Sequence, residues 1–312
     1  MILAHCPKTG GTLLREILKS ELSPRGHLVE GSEACYRYAR TTGAFHVSAL
    51  RSPRAHVLSQ FYMCRFSSWA LRSRGSTTSP SLLRLEIARN YTEDYSDFAD
   101  WLSHYVRPQL ELAPAGRKKD EYSCYYPNNM QTRFLSCRGK VTSAHTGKER
   151  ATAKLGRWNS DEPLADALES LREIDFVAIT DLFDESVCAL RVKVGGGAAA
   201  ALPRDCLCPS GAAAAIAPAR GQFSPQFSRD HGLPAHSVAA LPPPLLPLVD
   251  ALTRDDARLF VAGLARLLRE LAAVERAVRG RLVCDAKLHA LRAELAYLPG
   301  AAAALDEFEA IR

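Results

Sequence analysis

The sequence predicts an α/β fold with a parallel central sheet, because three stretches have the pattern of a buried strand, a turn and an amphipathic helix. A short apolar run bounded by turn residues is typical of a strand buried on both faces. Strands that alternate with helices favour parallel pairing. The stretches begin at Ile2, Phe45 and Asp175. Of the 312 residues, 47% are hydrophobic and 24% are charged, which indicates a globular protein with one large core.

The first unit leads from the apolar run at Ile2 into the loop Pro7-Lys8-Thr9-Gly10-Gly11-Thr12 and then into a helix. Glycines let the main chain approach a ligand closely, and a helix N-terminus favours an anion. Lys8 adds a positive charge, and the two threonines add hydroxyl donors. The loop is therefore predicted to bind a phosphate or sulfate group. The alternative is an ordinary strand-to-helix turn with an incidental lysine.

The loop fails the test for a nucleotide-binding P-loop, whose pattern is G-x-x-x-x-G-K-[ST]. Lys8 precedes the glycines, no glycine lies five residues before Gly10, and no Lys-Ser or Lys-Thr pair follows Gly11. The loop shares the physics of a P-loop but has a different order of residues.

The second unit is a strand over 45–50, followed by Arg51 and a helix that starts at Pro53 and runs to about Trp69. Proline suits the first turn of a helix, and the preceding Ser52 suits the N-cap. Ligands of open α/β sheets bind beyond the carboxyl ends of the strands, where both Lys8 and Arg51 are expected. The planar fork of an arginine suits a terminal phosphate, to which the Ser59 hydroxyl adds a donor.

The rest of the chain contributes further helices and a third unit. Residues 26–31 are a candidate for a short edge strand. Helical patterns cover about 81–90, 96–106 and 161–173, and residues 125–135 have the pattern of a loop that enters a short helix. A strand covers 175–180, a helix starts at Asp184, and a long helix covers about 248–282. Residues 195–221 have low complexity and are predicted to be a flexible insertion. We predict one domain over 1–270 that contains this insertion, and a peripheral helical extension over 271–312.

Charge is distributed unevenly along the chain, although the net charge is only +6. No acidic residue occurs between Glu33 and Glu86, an interval that contains eight arginines: Arg37, Arg40, Arg51, Arg54, Arg65, Arg72, Arg74 and Arg84. This favours an anionic ligand. Nucleic acid is not expected, since no signature of a nucleic-acid-binding fold accompanies the charge. Four of these arginines, at positions 37, 40, 72 and 74, and the basic run 117–119 fit either an acidic polysaccharide or a solvated basic face.

The nine cysteines include no C-x-x-C pair, so a structural zinc site is not expected. Cys124 and Cys137 either form a disulfide or stay as free thiols, and Cys206-x-Cys208 is a weak signal. Asn90-Tyr91-Thr92 is one glycosylation sequon. The sequence contains no evident secretory signal or transmembrane span. The chain is then either a soluble cytoplasmic protein or one whose membrane anchor precedes Met1.

Several stretches, in order along the chain, resemble the sulfotransferases that use 3′-phosphoadenosine-5′-phosphosulfate (PAPS), in particular the Golgi carbohydrate branch of the heparan sulfate 2-O- and 6-O-sulfotransferases. The stretches are Pro7–Thr12, Arg51-x-Pro53 with Ser59, Asn129-x-Gln131-Thr132-Arg133-x-Leu135, Phe176–Ser186 and Val249–Asp256. The resemblance covers most of residues 2–270. It implies a P-loop-NTPase-like, three-layer α/β/α fold with additional C-terminal helices, and a location in the Golgi lumen or membrane.

The resemblance also implies roles for the site residues. Lys8 would stabilise the leaving phosphate, and the loop from Pro7 to Leu13, which includes Thr9, Gly10, Gly11 and Thr12, would bind the 5′-phosphosulfate of PAPS. Arg51 and Ser59 would bind its 3′-phosphate. No metal would be required, and the acceptor would be a carbohydrate hydroxyl. The family usually has a second arginine five residues after the first, where this sequence has His56.

A base must take the proton of the acceptor hydroxyl, and His27 and Glu30 are the candidates. The family has a Gly-His pair at a comparable distance before the arginine motif, and other branches use a glutamate. For any single histidine, a purely structural role is the alternative. Two other functions stay open: a nucleotide-dependent, kinase-like transferase, and a non-catalytic relative that binds the anion alone.

Overall fold

The computed structural model describes residues 1–22, 28–32, 36, 42–67, 95–106, 125, 127–136, 163–195, 202, 204–208 and 236–312. These residues form an α/β structure that is mostly helical and has a small, open parallel sheet. The α/β class predicted from the sequence is confirmed at this level. Four predictions lie outside the described residues: the helix at 81–90, the sequon at Asn90, the pairing of Cys124 with Cys137, and the position of His27.

Within the described residues, the sheet contains four parallel strands in the order β2-β1-β3-β4. They are β1 (Ile2–Ala4), β2 (Glu30–Ser32), β3 (His46–Leu50) and β4 (Phe176–Ile179). Every residue of β3 and β4 is buried, although β4 lies at an edge of the described sheet, as expected where both faces of a parallel sheet are covered. The register pairs Leu50 with Ile179, so these two strands end at the same level.

The helices of the described residues follow the predicted order. They are α1 (Gly11–Leu22), α2 (Pro53–Phe66), α3 (Ser96–Val106), α4 (Met130–Ser136), α5 (Pro163–Glu173), α6 (Phe183–Val194), α7 (Leu246–Leu252), α8 (Arg254–Val278), α9 (Asp285–Glu294) and α10 (Ala301–Ile311). Within the described part of the chain, none of them has both the length and the apolar composition that crossing a membrane requires.

Helix α8 lies directly on the sheet, and Gly263 marks the contact. A Cβ atom at Gly263 would be 2.6 Å from Leu50 Cδ1 and within van der Waals distance of the side chains of Val177 and Ile179. The absence of a side chain therefore lets the helix approach β3 and β4 closely. This contact makes α8 the main cover of one face of the sheet.

The predicted helix over 248–282 is in fact two helices, which meet at Thr253, where Asn129 binds the main chain of both. The Asn129 N–H donates to the carbonyl oxygen of Leu252 at 2.8 Å, and its side-chain oxygen accepts from the N–H of Asp255 at 2.9 Å. Asn129 thus satisfies polar groups at the end of α7 and at the start of α8. A side chain from a distant segment produces this break, so periodicity within 248–282 could not predict it.

The helices after residue 270 are not peripheral, which corrects the prediction for 271–312. The predicted boundary at residue 270 falls inside α8. Eight apolar residues of α9, α10 and their connection are buried in the same core as the sheet: Leu288, Leu291, Leu295, Leu298, Ala301, Ala304, Leu305 and Phe308. These residues form the buried faces of two helices that contribute to the core.

Two disulfides tie the segment 204–208 to the core. Cys206 is bonded to Cys188 of α6, and Cys208 is bonded to Cys284, which precedes α9. The Cys208 N–H also donates to the Arg281 carbonyl oxygen at 2.7 Å. The prediction that 195–221 is a flexible insertion is therefore wrong for residues 204–208. Cysteine pairing over a long separation cannot be read from composition.

We expect both bridges to contribute to stability, and the longer one to contribute more. The bridges join residues 18 and 76 positions apart, and the loss of chain entropy in the unfolded state grows with this separation. Replacing Cys208 and Cys284 by serine should lower the free energy of unfolding by about 2–5 kcal/mol. The replacement of Cys188 and Cys206 should cost less. Urea unfolding under non-reducing conditions measures both losses, and equal stability of all three proteins would contradict the prediction.

Candidate anion-binding site

The carboxyl ends of β1, β3 and β4 meet at one edge of the sheet, where the predicted loop and Arg51 lie together. The Arg51 guanidinium donates from Nη1 to the carbonyl oxygen of Lys8 at 3.3 Å. The Thr180 hydroxyl, just after β4, lies 2.7 Å from the Thr9 carbonyl oxygen and 3.0 Å from the Leu50 carbonyl oxygen. One edge of the sheet thus holds both of the cations predicted to bind anionic groups.

The main chain of the loop has positive φ angles, which are a common feature of anion-binding concavities. Lys8 and Gly10 have positive φ angles of 69° and 78°, on either side of Thr9. Such alternation turns successive N–H groups toward one point. Because α1 begins at Gly11, the N–H groups of its first residues lack carbonyl partners within the helix. The Thr9 hydroxyl donates to the Cys6 carbonyl oxygen at 2.8 Å, so it shapes the loop.

Gly11 is required by the packing of the loop against His5. A Cβ atom at Gly11 would lie 2.0 Å from His5 Cγ and 2.2 Å from His5 Nδ1. His5 is itself buried, with 3% of its surface exposed. The start of α1 therefore lies against the imidazole ring, and this explains why the second glycine of the loop has no side chain.

One face of α2 also contacts the anion-binding loop, at Pro7 and Lys8. His56 donates from Nε2 to the Pro7 carbonyl oxygen at 2.8 Å, and the Lys8 ammonium nitrogen is 3.8 Å from Met63 Sδ. Residues three and four positions apart share a helix face, so Ser59 lies on this face between His56 and Met63. Only 3% of Ser59 is exposed. The predicted partners Lys8, Arg51 and Ser59 are thus on elements in contact, and their roles as ligands stay predictions.

His56 is a structural residue in the neutral state. It is fully buried, and burial lowers its pKa to about 3, with smaller contributions from the charges of Arg51 and Lys8. The Pro7 carbonyl can only accept, so Nε2 carries the proton, and Nδ1 accepts from the Gln60 amide at 3.0 Å. His56 therefore fixes the loop without adding a cation.

Two acidic groups lie near Arg51, and their roles were not anticipated. Burial lowers the pKa of Arg51, while the negative charges of Asp181 and Glu294 oppose this shift. Burial raises the pKa of Glu294, and Asp181 acts in the same direction. Asp181 also accepts from the Ser52 N–H at 2.9 Å. The predicted N-cap Ser52 is at its predicted position, but within the described structure its side chain does not cap α2.

The reach of Glu294 to the site follows from the turn after α9. Tyr297 lies three residues later, and its ring centroid is 3.7 Å from the Arg54 guanidinium carbon. Arg54 is also paired with Asp250 at 2.6 Å. No sequence pattern indicated this approach, because the terminal helices were expected to be peripheral.

Neither predicted base is brought to the site by the described structure. Glu30 is the first residue of β2 and pairs with Ile2, at the amino edge of the sheet, and its side chain is exposed. The loop follows the opposite, carboxyl edge. The position of Glu30 in the sheet is therefore evidence against its role as the base. His27 is outside the described residues.

Comparisons with known proteins add no information about this site. No protein-family profile, curated protein or solved structure matches this chain.

We expect Gly11→Ala to destabilise the protein through its contact with His5. The added methyl group would overlap the imidazole ring and force the loop or the ring to move, which typically costs about 1–3 kcal/mol. Urea unfolding measures the loss, and the double variant His5→Ala/Gly11→Ala should recover part of it. A single variant as stable as the wild type would contradict the described contact.

We expect His56 to make the protein less stable in mild acid. Its pKa is lowered to about 3 in the folded state from about 6.5 in the unfolded chain, so between these values only the unfolded chain binds the proton. The free energy of unfolding should fall as the pH drops below 6.5, by roughly 2 kcal/mol at pH 5.

The control is His56→Gln, which cannot titrate. The wild type also contains the buried Asp256, whose pKa is raised to about 6 by burial and whose contribution has the opposite sign. Only the difference between wild type and variant therefore isolates His56. Parallel pH profiles of the two proteins in urea unfolding would refute the assignment of a neutral, buried imidazole.

Proposed function

We propose that the protein is a sulfotransferase that moves the sulfuryl group of PAPS to a hydroxyl of a carbohydrate acceptor. The observation that carries the proposal is the contact of Arg51 with the Lys8 carbonyl group at the carboxyl edge of a parallel sheet. This contact joins two cations with a loop whose positive φ angles are a common feature of anion-binding sites. We also propose that the complete fold is P-loop-NTPase-like, with three α/β/α layers.

The residues of the loop fit the phosphosulfate end of PAPS. The N–H groups from Gly11 to Leu13 begin a helix and so favour an anion, and the half-buried Thr12 hydroxyl adds a donor. Pro7 and Thr9 hold the loop through their carbonyl groups, which are bonded to His56 and Thr180. Arg51 and Ser59 are proposed for the 3′-phosphate. An arriving phosphate would compete with Asp181 and Glu294 for the guanidinium.

The chemistry asked of the protein is mainly positioning and charge stabilisation. PAPS supplies a sulfuryl group on a phosphate leaving group. Lys8 neutralises the charge that develops on the phosphate oxygen as the sulfur–oxygen bond breaks. The acceptor oxygen forms the new bond to sulfur, and its proton passes to a base. His27 stays the candidate for this base.

The two disulfides support a location in an oxidising compartment. Structural disulfides persist in secretory compartments and are rare in the cytosol. We therefore propose the Golgi lumen, in line with the resemblance, over the cytoplasm. An acidic polysaccharide remains the favoured class of acceptor because of the arginine-rich interval before Glu86.

A kinase-like transferase is the second candidate, and Asp181 favours it. An aspartate that follows a strand beside an anion-binding loop is a typical ligand for the magnesium of a nucleoside triphosphate. However, Asp181 already accepts from the Ser52 N–H, and Lys8 precedes the glycines. A non-catalytic, anion-binding relative is the third candidate.

Nucleotide binding separates the candidates. By calorimetry, 3′-phosphoadenosine-5′-phosphate should bind tightly, and ATP with magnesium should bind weakly. Preference for ATP with magnesium would overturn the sulfotransferase proposal in favour of a kinase-like activity.

Transfer of labelled sulfate to a panel of neutral and acidic glycans tests catalysis. We expect Lys8→Ala to lower kcat/KM by about 10²–10³-fold, as for the loss of one group that stabilises a transition state. The matched control is Lys19→Ala, which removes an exposed lysine from the last turn of α1. Binding without transfer to any glycan would support the non-catalytic alternative, and full activity of Lys8→Ala would refute the mechanism.

A further inference from the structure

The side chain of Gln131 forms two hydrogen bonds with the main chain of Arg51. The Arg51 N–H donates to Gln131 Oε1 at 2.9 Å, and Gln131 Nε2 donates to the Arg51 carbonyl oxygen at 2.9 Å. Gln131 is 1% exposed. The amide thus binds the residue after β3 in the way that a neighbouring strand would, although Leu50 is the last residue in the ladder with β4.

The orientation of Gln131 is itself fixed by a buried carboxylate. Asp256, in the first turn of α8, accepts from the N–H groups of Gln131 at 3.2 Å and Thr132 at 2.7 Å. It also accepts from the Thr132 hydroxyl at 2.8 Å. In return, Asn129 accepts from the N–H groups at the start of α8. The two helices therefore cap each other, and α4 holds Gln131 against Arg51.

We propose that Gln131 is the positioning residue that aims the Arg51 guanidinium at the ligand. The proposal rests on the proposed function, because it takes Arg51 as the group that binds the 3′-phosphate. Both polar main-chain groups of Arg51 are bound by Gln131, and the next N–H, of Ser52, is bound by Asp181. The main chain at Arg51 therefore has little freedom to rotate, and this fixes the direction in which the side chain leaves the main chain.

If Gln131 only stabilised the fold, its replacement would have a different effect on ligand binding. Loss of its bonds would lower the free energy of unfolding and affect all ligands alike. A positioning residue acts through the guanidinium, so its loss weakens binding of the ligand group that Arg51 contacts. The comparison of two nucleotides that differ only in the 3′-phosphate separates these roles.

The test uses Gln131→Leu, which has a similar volume and neither hydrogen-bonding group. We expect its affinity for 3′-phosphoadenosine-5′-phosphate to fall tenfold or more, while its affinity for adenosine 5′-phosphate changes less than about threefold. The double variant with Arg51→Ala should bind no more weakly than Arg51→Ala alone, because both changes remove the same contact.

Ser186→Ala is the matched control. The buried Ser186 hydroxyl accepts from the Ile179 N–H at 3.0 Å and lies 3.3 Å from the Ile179 carbonyl oxygen, so it holds the last residue of β4 in a similar way. The Ser186→Ala variant should have a lower melting temperature, without a selective loss of affinity for the nucleotide that carries the 3′-phosphate. An equal loss for both nucleotides in Gln131→Leu, or no loss, would overturn the proposal.

Hydrogen exchange at the Arg51 amide distinguishes failure of this proposal from failure of the proposed function. In Gln131→Leu this amide loses its acceptor and should exchange at least tenfold faster, whereas Ser186→Ala should leave it unchanged. If the wild type binds neither nucleotide, the proposed function is wrong and the exchange result alone decides on Gln131. An unchanged exchange rate at Arg51 in Gln131→Leu would refute the positioning role.

Discussion

The structure depends on a constraint set by its short strands: the main chain that leaves them must find hydrogen-bond partners outside the sheet. The four strands have three to five residues each. Buried N–H and carbonyl groups without partners are costly, so they are almost always satisfied. Here side chains do this at the carboxyl edge. Thr180 contacts the chain after β1 and the end of β3, and Gln131 and Asp181 bind the two residues after β3.

This arrangement explains why stretches far apart in the sequence belong to one site. Gln131 lies in α4 and Asp181 lies after β4, and both bind the main chain at Arg51 or Ser52. Asp256 lies in α8 and binds the main chain of Gln131. The motifs after residue 100 therefore act on the geometry of the first two strand–loop–helix units. His56 has the same kind of role for the Pro7 carbonyl group and so supports the loop.

Sequence patterns predicted the elements well where the information is local. The strand ending at Leu50, the helix starting at Pro53 and the helix over 96–106 are close to their predicted bounds, because apolar periodicity and proline act over a few residues. The meeting of Lys8 with Arg51 followed from the rule that parallel strands end at one edge. The break at Thr253, the pairing of Cys208 with Cys284 and the approach of Glu294 were not predictable, since each depends on a partner distant in sequence.

The double attachment at Cys206-x-Cys208 imposes an order on the biosynthesis of the protein. Cys188 and Cys206 leave the ribosome well before Cys284, so the first bridge can close while Cys208 still lacks its partner. In that interval Cys208 is close enough in sequence to compete for Cys188. Recovery from such a mispaired intermediate requires attack by a free thiolate on the wrong bridge. A chain that has mispaired in this way therefore needs thiol–disulfide exchange to continue until the segment before α9 has been synthesised.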